Sequence, residues 1–186
     1  MVSIPELWLP ILVATVLVFV ASNIVWMALP HHKSDARRLP DEPGALEALG
    51  KQGLKPGVYR FPWADSMAEM KDPAFVEKLN KGPVGLLTVM PSGPFNMGRS
   101  LGLWTGYLVI MGVLVAYVTG RVLGPGVNYL EVFRVAGTVA FMGYSGAQLP
   151  SAIWWGKPLS VAAKEIFDGL LYALLTAGAF GWLWPR

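Results

Sequence analysis

Two adjacent histidines and a nearby aspartate are the first candidates for chemistry in this sequence. His31 and His32 are followed by Asp35 in a segment that reads Pro-His-His-Lys-Ser-Asp. Imidazoles and carboxylates are ligands of zinc and other transition metals, so the three residues predict a metal site. Adjacent side chains usually point in different directions, so both histidines can serve one ion only at a special turn. His31 with Asp35 is the better pair if the segment is helical. Histidines in such a position are more often interfacial residues beside phosphate headgroups, and metal binding is the less common interpretation.

An aspartate inside an apolar segment is the second candidate. Asp168 follows Lys164 and Glu165 and precedes a long uncharged run. A charge near hydrocarbon is costly, so such a residue faces protein or water and is a functional candidate by default. Lys164 lies four residues earlier, which predicts an ion pair with Asp168 on a helix. Ion or proton handling by these three residues is the functional interpretation. A paired anchor at a helix N-terminus, where negative charge is favoured, is the interpretation that the sequence favours.

Other kinds of site find no support in the sequence. The chain has no cysteine, which excludes disulfides, thiolate zinc sites and iron–sulfur clusters. Phosphate-binding loops, dinucleotide-binding glycine motifs, HExxH and GxSxG are missing. No basic patch interleaved with aromatic residues indicates nucleic-acid binding. We therefore expect no cofactor, no nucleic-acid partner and, on balance, no enzymatic activity.

The elements that must position these residues follow from composition. The chain is 54% hydrophobic and 15% charged, which leaves too little polar surface for a soluble protein. A helix of about 20 apolar residues crosses a hydrocarbon layer of ~30 Å. We therefore predict an all-α membrane protein with four transmembrane helices, at residues 7–30, 101–121, 128–156 and 159–184. We expect the first to be retained and not cleaved as a signal peptide, because no basic residue precedes it.

Basic residues predict the orientation in the membrane. Residues 31–100 hold ten of the 15 lysines and arginines, and basic loops stay in the cytoplasm. We expect a bacterial inner-membrane protein with loop 31–100 in the cytoplasm and both termini outside. Tryptophans prefer membrane interfaces, and two groups support the boundaries: Trp8, Trp182 and Trp184 at one level, and Trp26, Trp104, Trp154 and Trp155 at the other.

Small residues repeat at four-residue spacing on three of the predicted helices. Such a stripe lets two helix backbones approach closely in lipid. The stripes predict helix-packing positions at Gly102, Gly106, Gly143, Ala147, Gly169, Ala173, Ala177 and Gly181. The first helix lacks a stripe, so we expect it at the periphery while the other three form the core of the bundle.

Residues 31–100 predict a small α/β-like cytoplasmic lobe between the first and second membrane helices. Asp41 and Asp72, each with a proline shortly after it, predict helix starts, and Gly82 predicts the end of the second helix. Residues 57–61 and 84–89 are strand candidates on either side of that helix. The lobe has few large apolar residues, so we expect it to need support from the membrane surface or a second copy.

Two stretches resemble a group of uncharacterised bacterial inner-membrane proteins. They are Trp26 to Asp35 (WMALPHHKSD) and Asp168 to Pro185 (DGLLYALLTAGAFGWLWP). The resemblance covers both ends of the chain and implies the same cellular setting. It implies that His31, His32 and Asp168 belong to recurring motifs, and it implies no activity for the chain.

Three functions fit these observations. The first is a non-enzymatic accessory or scaffolding component of the lipid bilayer, which self-associates as a homo-oligomer or joins a membrane complex through its small-residue faces. The second is an oligomeric transporter or channel for ions or small solutes that uses Asp168. The third is a metal-binding membrane protein that uses His31 and His32. From the sequence we expect the first and keep the other two as alternatives.

Overall fold

The computed structural model describes all 186 residues and is mostly helical, with 66% helix and 5% strand. It divides into two compact units. The helical unit comprises Met1–Asp35 and Asn96–Arg186, and the lobe comprises Ala36–Phe95. In chain order the elements are a 3-10 turn (Ile4–Leu7), α1 (Trp8–Asn23), a π-helical turn (Ile24–Ala28), α2 (Glu42–Lys51), β1 (Gly57–Phe61), a 3-10 turn (Glu69–Lys71), α3 (Pro73–Lys81), β2 (Gly85–Val89), α4 (Met97–Val122), α5 (Tyr129–Ser145), α6 (Gln148–Trp155) and α7 (Leu159–Trp182).

Four helices form the bundle of the helical unit. Helix α1 packs against α4 and α7, and α5 packs against the same two helices. The prediction that the first helix is peripheral is therefore wrong. Helix α1 buries an apolar face that repeats every three or four residues, including Ile11, Ala14 and Val18. Its Ile11 side chain packs directly on Gly112 of α4, so the small residues of this contact lie on α4 and not on α1.

The small-residue stripe of α7 faces α5. Its members are Gly169, Ala173, Ala177 and Gly181, of which the first three are buried. A Cβ atom on Gly169 would overlap the Ser145 hydroxyl of α5. A Cβ atom on Gly137 of α5 would lie 3.1 Å from that of Ala177. The two backbones approach this closely only because these side chains are small.

The other small residues make different contacts. Gly102 and Gly106 on α4 are exposed, and a Cβ atom on either would meet nothing within 4 Å. The packing predicted for these two glycines is therefore not made within the chain, because α4 turns its Leu108 and Val115 face to the bundle. Gly143 lies against the Met111 side chain, and Ala147 is exposed between α5 and α6.

Two helical stretches are long and apolar enough to cross a membrane: Ile4–Ala28 and Met97–Val122. The other two predicted spans differ from the sequence expectation. Residues 128–156 are not one helix, because the chain breaks after Ser145 and continues as α6. Helix α7 has the length, but Lys164, Glu165 and Asp168 lie in its first half. Four transmembrane helices are not supported by length and apolar character alone.

The lobe contains an antiparallel pair of strands and two short helices. Strands β1 and β2 pair so that Gly57 lies opposite Val89. Helices α2 and α3 begin at the predicted aspartates: the Asp41 side chain accepts a hydrogen bond from the Gly44 amide, and that of Asp72 accepts one from the Ala74 amide. Helix α3 ends before Gly82, whose φ of +65° favours glycine.

Candidate functional site

The chain makes a double turn where it leaves the first long helix. After the π-helical turn, the Lys33 amide donates to the Pro30 carbonyl and the Asp35 amide donates to the His32 carbonyl, both at 3.0 Å. These turns bring the two adjacent imidazoles to the same side, with ring centroids 4.0 Å apart. The special turn that a shared ligand set requires is therefore present.

Trp26 fixes the orientation of one imidazole. Its indole stacks on His32 with ring centroids 3.8 Å apart and an interplanar angle of 5°. Indole and imidazole stack well because each presents a flat face with little polar surface. His32 is buried, whereas the His31 side chain is 30% exposed. One ring is thus held on both faces, and the other borders solvent.

Asp168 lies beneath both histidines. It belongs to the first half of α7 and is only 3% exposed. Its Oδ1 lies 3.2 Å from His31 Nε2, and its Oδ2 lies 2.7 Å from His32 Nε2. The structure therefore joins two groups of candidate residues that the sequence presents as separate sites.

Asp35 and Lys164 close the cluster from the other side. Asp35 Oδ2 lies 2.5 Å from His32 Nδ1, and its Oδ1 accepts a hydrogen bond from Lys164 Nζ at 2.6 Å. Lys164 also donates to Ser34 Oγ at 2.9 Å and to the His31 carbonyl. Two sequence expectations are corrected here. Asp35 contacts His32 and not His31, because the segment is a turn and not a helix, and Lys164 reaches the turn and not Asp168.

His32 lies between two carboxylates, and this arrangement limits its protonation states. Burial by itself lowers the pKa of His32, but the hydrogen bonds that its ring donates to Asp35 and Asp168, with the charges of these carboxylates, outweigh burial and raise the pKa above its ordinary value. Each ring nitrogen faces a carboxylate oxygen, and a neutral imidazole has only one N–H. A His32 ring that carries a proton on both nitrogens can donate to both carboxylates.

Lys164 keeps Asp35 ionised. Its ammonium, and after it the His32 ring, hold the pKa of the Asp35 carboxyl below its ordinary value. A carboxylate at this position accepts the Nδ1 proton of His32 and so fixes which nitrogen, Nε2, faces Asp168. The same arrangement orients histidine ligands in metal sites.

Three potential ligand atoms converge at this point. One atom each from His31, His32 and Asp168 lies within 4.8 Å of the other two. Ligands of one tetrahedral ion at about 2.0–2.1 Å lie roughly 3.3 Å apart. The 3.2 Å contact of His31 ends on Oδ1 of Asp168 and the 2.7 Å contact of His32 ends on Oδ2, so an ion that takes one of these oxygens needs the carboxylate or a ring to shift.

Glu165 has a different partner from the rest of the predicted set. Its Oε2 lies 2.5 Å from Lys157 Nζ, which also donates to Gln148 at 3.0 Å. Glu165 shares a cavity with Asp168 but touches neither histidine. The site also contains two residues that sequence reasoning did not assign to it, Trp26 and Ser34. Both lie in the stretch from Trp26 to Asp35 that resembles other membrane proteins, and this resemblance is the only sequence feature that points to them.

Comparison with known proteins does not assign a function to this chain. No protein family, curated protein or solved structure matches the chain. The resemblance to bacterial inner-membrane proteins therefore stays a prediction. The polar cluster that joins the end of α1 to the start of α7 is the feature from which a function can be argued.

Proposed function

We propose that this chain is a membrane-associated protein that binds one divalent transition-metal ion through His31, His32 and Asp168. The observation that carries the proposal is the convergence of two imidazole nitrogens and a carboxylate in one place, two of the three side chains being buried. The sequence alone ranks metal binding below a scaffolding role. The geometry favours metal binding instead, because two imidazole nitrogens and a carboxylate oxygen converge on one point.

The hydrogen bonds around the cluster support a metal site. Asp35 accepts from Nδ1 of His32, which leaves Nε2 as the nitrogen that a cation can take in place of a proton. Lys164 in turn holds Asp35. Asp35, the hydrogen-bond partner of His32, is therefore itself held in position. In metal centres, such contacts outside the ligand shell tune the affinity for the metal.

The ligand set indicates which ions to test. Two histidines and one carboxylate suit Zn²⁺, Fe²⁺ and Mn²⁺ and leave coordination positions open. The exposed side of His31 is where water or a small ligand reaches such an ion. The absence of cysteine disfavours copper(I) as the resident ion, because soft ligands are then limited to methionine.

Metal content and affinity test the proposal directly. The full chain is purified in mild detergent without a polyhistidine tag, and its metals are measured by mass spectrometry before and after titration with Zn²⁺, Fe²⁺ or Mn²⁺. We expect about one ion per chain, and a loss of affinity of about 10- to 100-fold in Asp35→Asn from its orienting role. His32→Gln and Asp168→Asn remove ligands and should abolish binding. Glu77→Gln, an exposed carboxylate in the lobe, is the matched control.

Two results would overturn the metal proposal. One is a folded protein that takes up none of the three ions. The other is metal affinity in Asp168→Asn and His32→Gln that equals the affinity of the control Glu77→Gln. The ion would then be bound by other residues.

The finer membrane topology is also a proposal. We infer that α5 with α6, and α7, complete a four-span bundle in a bacterial inner membrane, with loop 31–100 in the cytoplasm. The loop's excess of basic residues supports this orientation. The packing of α5 and α7 beside the two apolar helices supports the four-span bundle. Reporter fusions at residues 60 and 123 should lie on opposite sides of the membrane, and the same side for both would contradict the topology.

Self-association is a second candidate role, and one observation favours it. Gly102 and Gly106 form an exposed small-residue face on α4 that no other helix of the chain covers. Such a face suits close approach of a helix from a second copy. Cross-linking in native membranes should capture a homo-oligomer that Gly106→Leu weakens and Gly124→Leu, in the α4–α5 connection, does not. A monomer under all these conditions would remove this role.

A further inference from the structure

A cavity of about 220 Å³ lies beside the metal-ligand cluster and is lined by Asp168 itself. Four aromatic rings that pack on one another form part of its wall: Trp104, Tyr107, Tyr144 and Tyr172. Successive ring centroids lie 5.3 to 6.4 Å apart. Walls of this kind receive a flat ring by stacking and edge contacts.

Two hydrogen-bond donors of this cavity have no acceptor. Tyr172 is only 5% exposed, and its buried hydroxyl has no hydrogen-bond partner. Gln148 turns its carbonyl oxygen to Lys157, which can only donate, so the amide nitrogen of Gln148 is left without a partner. The buried Tyr172 hydroxyl without an acceptor is costly unless a ligand satisfies it, whereas Gln148 is half-buried and its amide nitrogen is free to donate.

The charges of the cavity wall favour an uncharged ligand. No lysine or arginine lines the cavity, so an anionic group would find no partner. Its two carboxylates are already engaged, Asp168 by the histidines and Glu165 by Lys157. A ligand with neutral carbonyl oxygens fits the free donors without adding charge.

An apolar groove adjoins the cavity. It has a volume of about 300 Å³ and shares Trp26 and Trp104 with the cavity as walls. It runs along α1 and α4, the two helices apolar enough to cross a membrane. A hydrocarbon tail attached to a ring in the cavity would find apolar surface there.

We propose that this cavity and groove bind a lipid-soluble quinone, with the ring carbonyls accepting hydrogen bonds from Tyr172 and Gln148 and the isoprenoid tail lying in the groove. The proposal goes beyond metal binding and does not depend on it, because the two donors and the aromatic walls are not metal ligands. It concerns binding only and assigns no electron transfer.

Calorimetric titration of the full chain in detergent, after treatment with a chelator, tests the proposal. The probe is menadione, a two-carbonyl ring without a tail, and 2-methylnaphthalene is the matched compound without carbonyls. Because the chain has no cysteine, menadione cannot form thiol adducts with it. We expect saturable binding of menadione and at least tenfold weaker binding of 2-methylnaphthalene.

Single-residue variants assign the hydrogen bonds. Tyr172→Phe removes only the hydroxyl and should weaken menadione binding by about three- to tenfold, the effect of one hydrogen bond. Gln148→Leu should weaken it by a similar factor. Tyr117→Phe, an exposed tyrosine on α4 outside the cavity, should bind as the parent does. Metal content, measured on the same samples without the chelator, should be unchanged in Tyr172→Phe, which separates failure of this proposal from failure of the metal site.

Three outcomes would overturn the proposal. The first is no saturable binding of menadione. The second is equal affinity for 2-methylnaphthalene, which would make the cavity merely apolar. The third is unchanged affinity in both Tyr172→Phe and Gln148→Leu. A menaquinone with four isoprene units in nanodiscs is the test of the groove, and affinity no better than that of the head alone would remove the tail from the assignment.

Discussion

The helical unit and the lobe differ in how far apart in the chain their interacting polar residues lie. In the helical unit, His32 pairs with Asp168, 136 residues away, and both side chains are buried. In the lobe, Phe75 is the only buried residue, and polar side chains pair with neighbours within a few residues, as Asp72 does with the Ala74 amide. The buried polar side-chain pair of the helical unit is long-range, whereas the side-chain polar pairs of the lobe are local.

This difference indicates where single substitutions should be costly. A buried polar group that loses its partner keeps its desolvation penalty, whereas an exposed one exchanges its partner for water. The helical unit should therefore be sensitive to the loss of one group and the lobe tolerant of it. The following substitutions test that contrast in order of expected effect.

Asp168→Ala should have the largest effect. It leaves His32 buried between a stacked indole and an empty space, with only Asp35 as partner. Breaking a buried pair of this kind costs about 3–5 kcal/mol of unfolding free energy. Thermal and denaturant unfolding of the chelator-treated protein in detergent measures the loss. A change below that of a lobe cap would show that the cluster does not stabilise the helical unit.

Gly169→Ala should have the next effect, and Gly106→Ala should have the opposite sign. The new methyl at residue 169 would overlap the Ser145 hydroxyl, and overpacking costs about 1–3 kcal/mol. At residue 106 the methyl meets nothing, and alanine should stabilise the exposed helix by about 0.4–1 kcal/mol. Unfolding of both variants in the same detergent compares a small-residue stripe that packs against another helix with one that does not. Equal effects would mean that the close approach of α5 and α7 is not needed.

Asp72→Ala should cost less and only within the lobe. It removes the cap whose carboxylate accepts from the Ala74 amide at 2.7 Å, a loss of about 0.5–2 kcal/mol. Hydrogen exchange of the α3 amides should quicken while those of α5 and α7 keep their protection. Faster exchange in α7 would contradict the local character of the lobe's contacts.

Lys51→Ala should have the smallest effect. Its ion pair with Glu47 spans one turn of α2, and both side chains are about 70% exposed. Such pairs contribute about 0.3–0.5 kcal/mol. The change should fall within the error of most unfolding measurements, and a loss above ~1 kcal/mol would indicate an additional partner for Lys51.

The lobe was the more predictable of the two units, because its signals are local. Asp72 followed by proline predicts the start of α3, and Gly82 predicts its end, since caps act on the adjacent turn. The strand at residues 57–61 was predicted with the bounds that the structure has. Such features need no knowledge of the rest of the fold.

The site was predictable in its residue types but not in its assembly. The sequence singles out His31, His32 and Asp168, yet no local pattern says that α7 passes beneath the histidine turn. The same limit explains the errors about α1 and Lys164. Both depend on which helices become neighbours, and the spacing of small residues is only a partial guide to that.

The wide separation of His32 and Asp168 along the chain has a consequence for biosynthesis. A ribosome makes the histidine turn well before α7, so the nascent chain exposes two imidazoles long before their carboxylate exists. An arrested chain that stops before residue 159 lacks Asp168 and Lys164 and should not retain an ion. In the proposed metal site, loading therefore waits for the synthesis of α7.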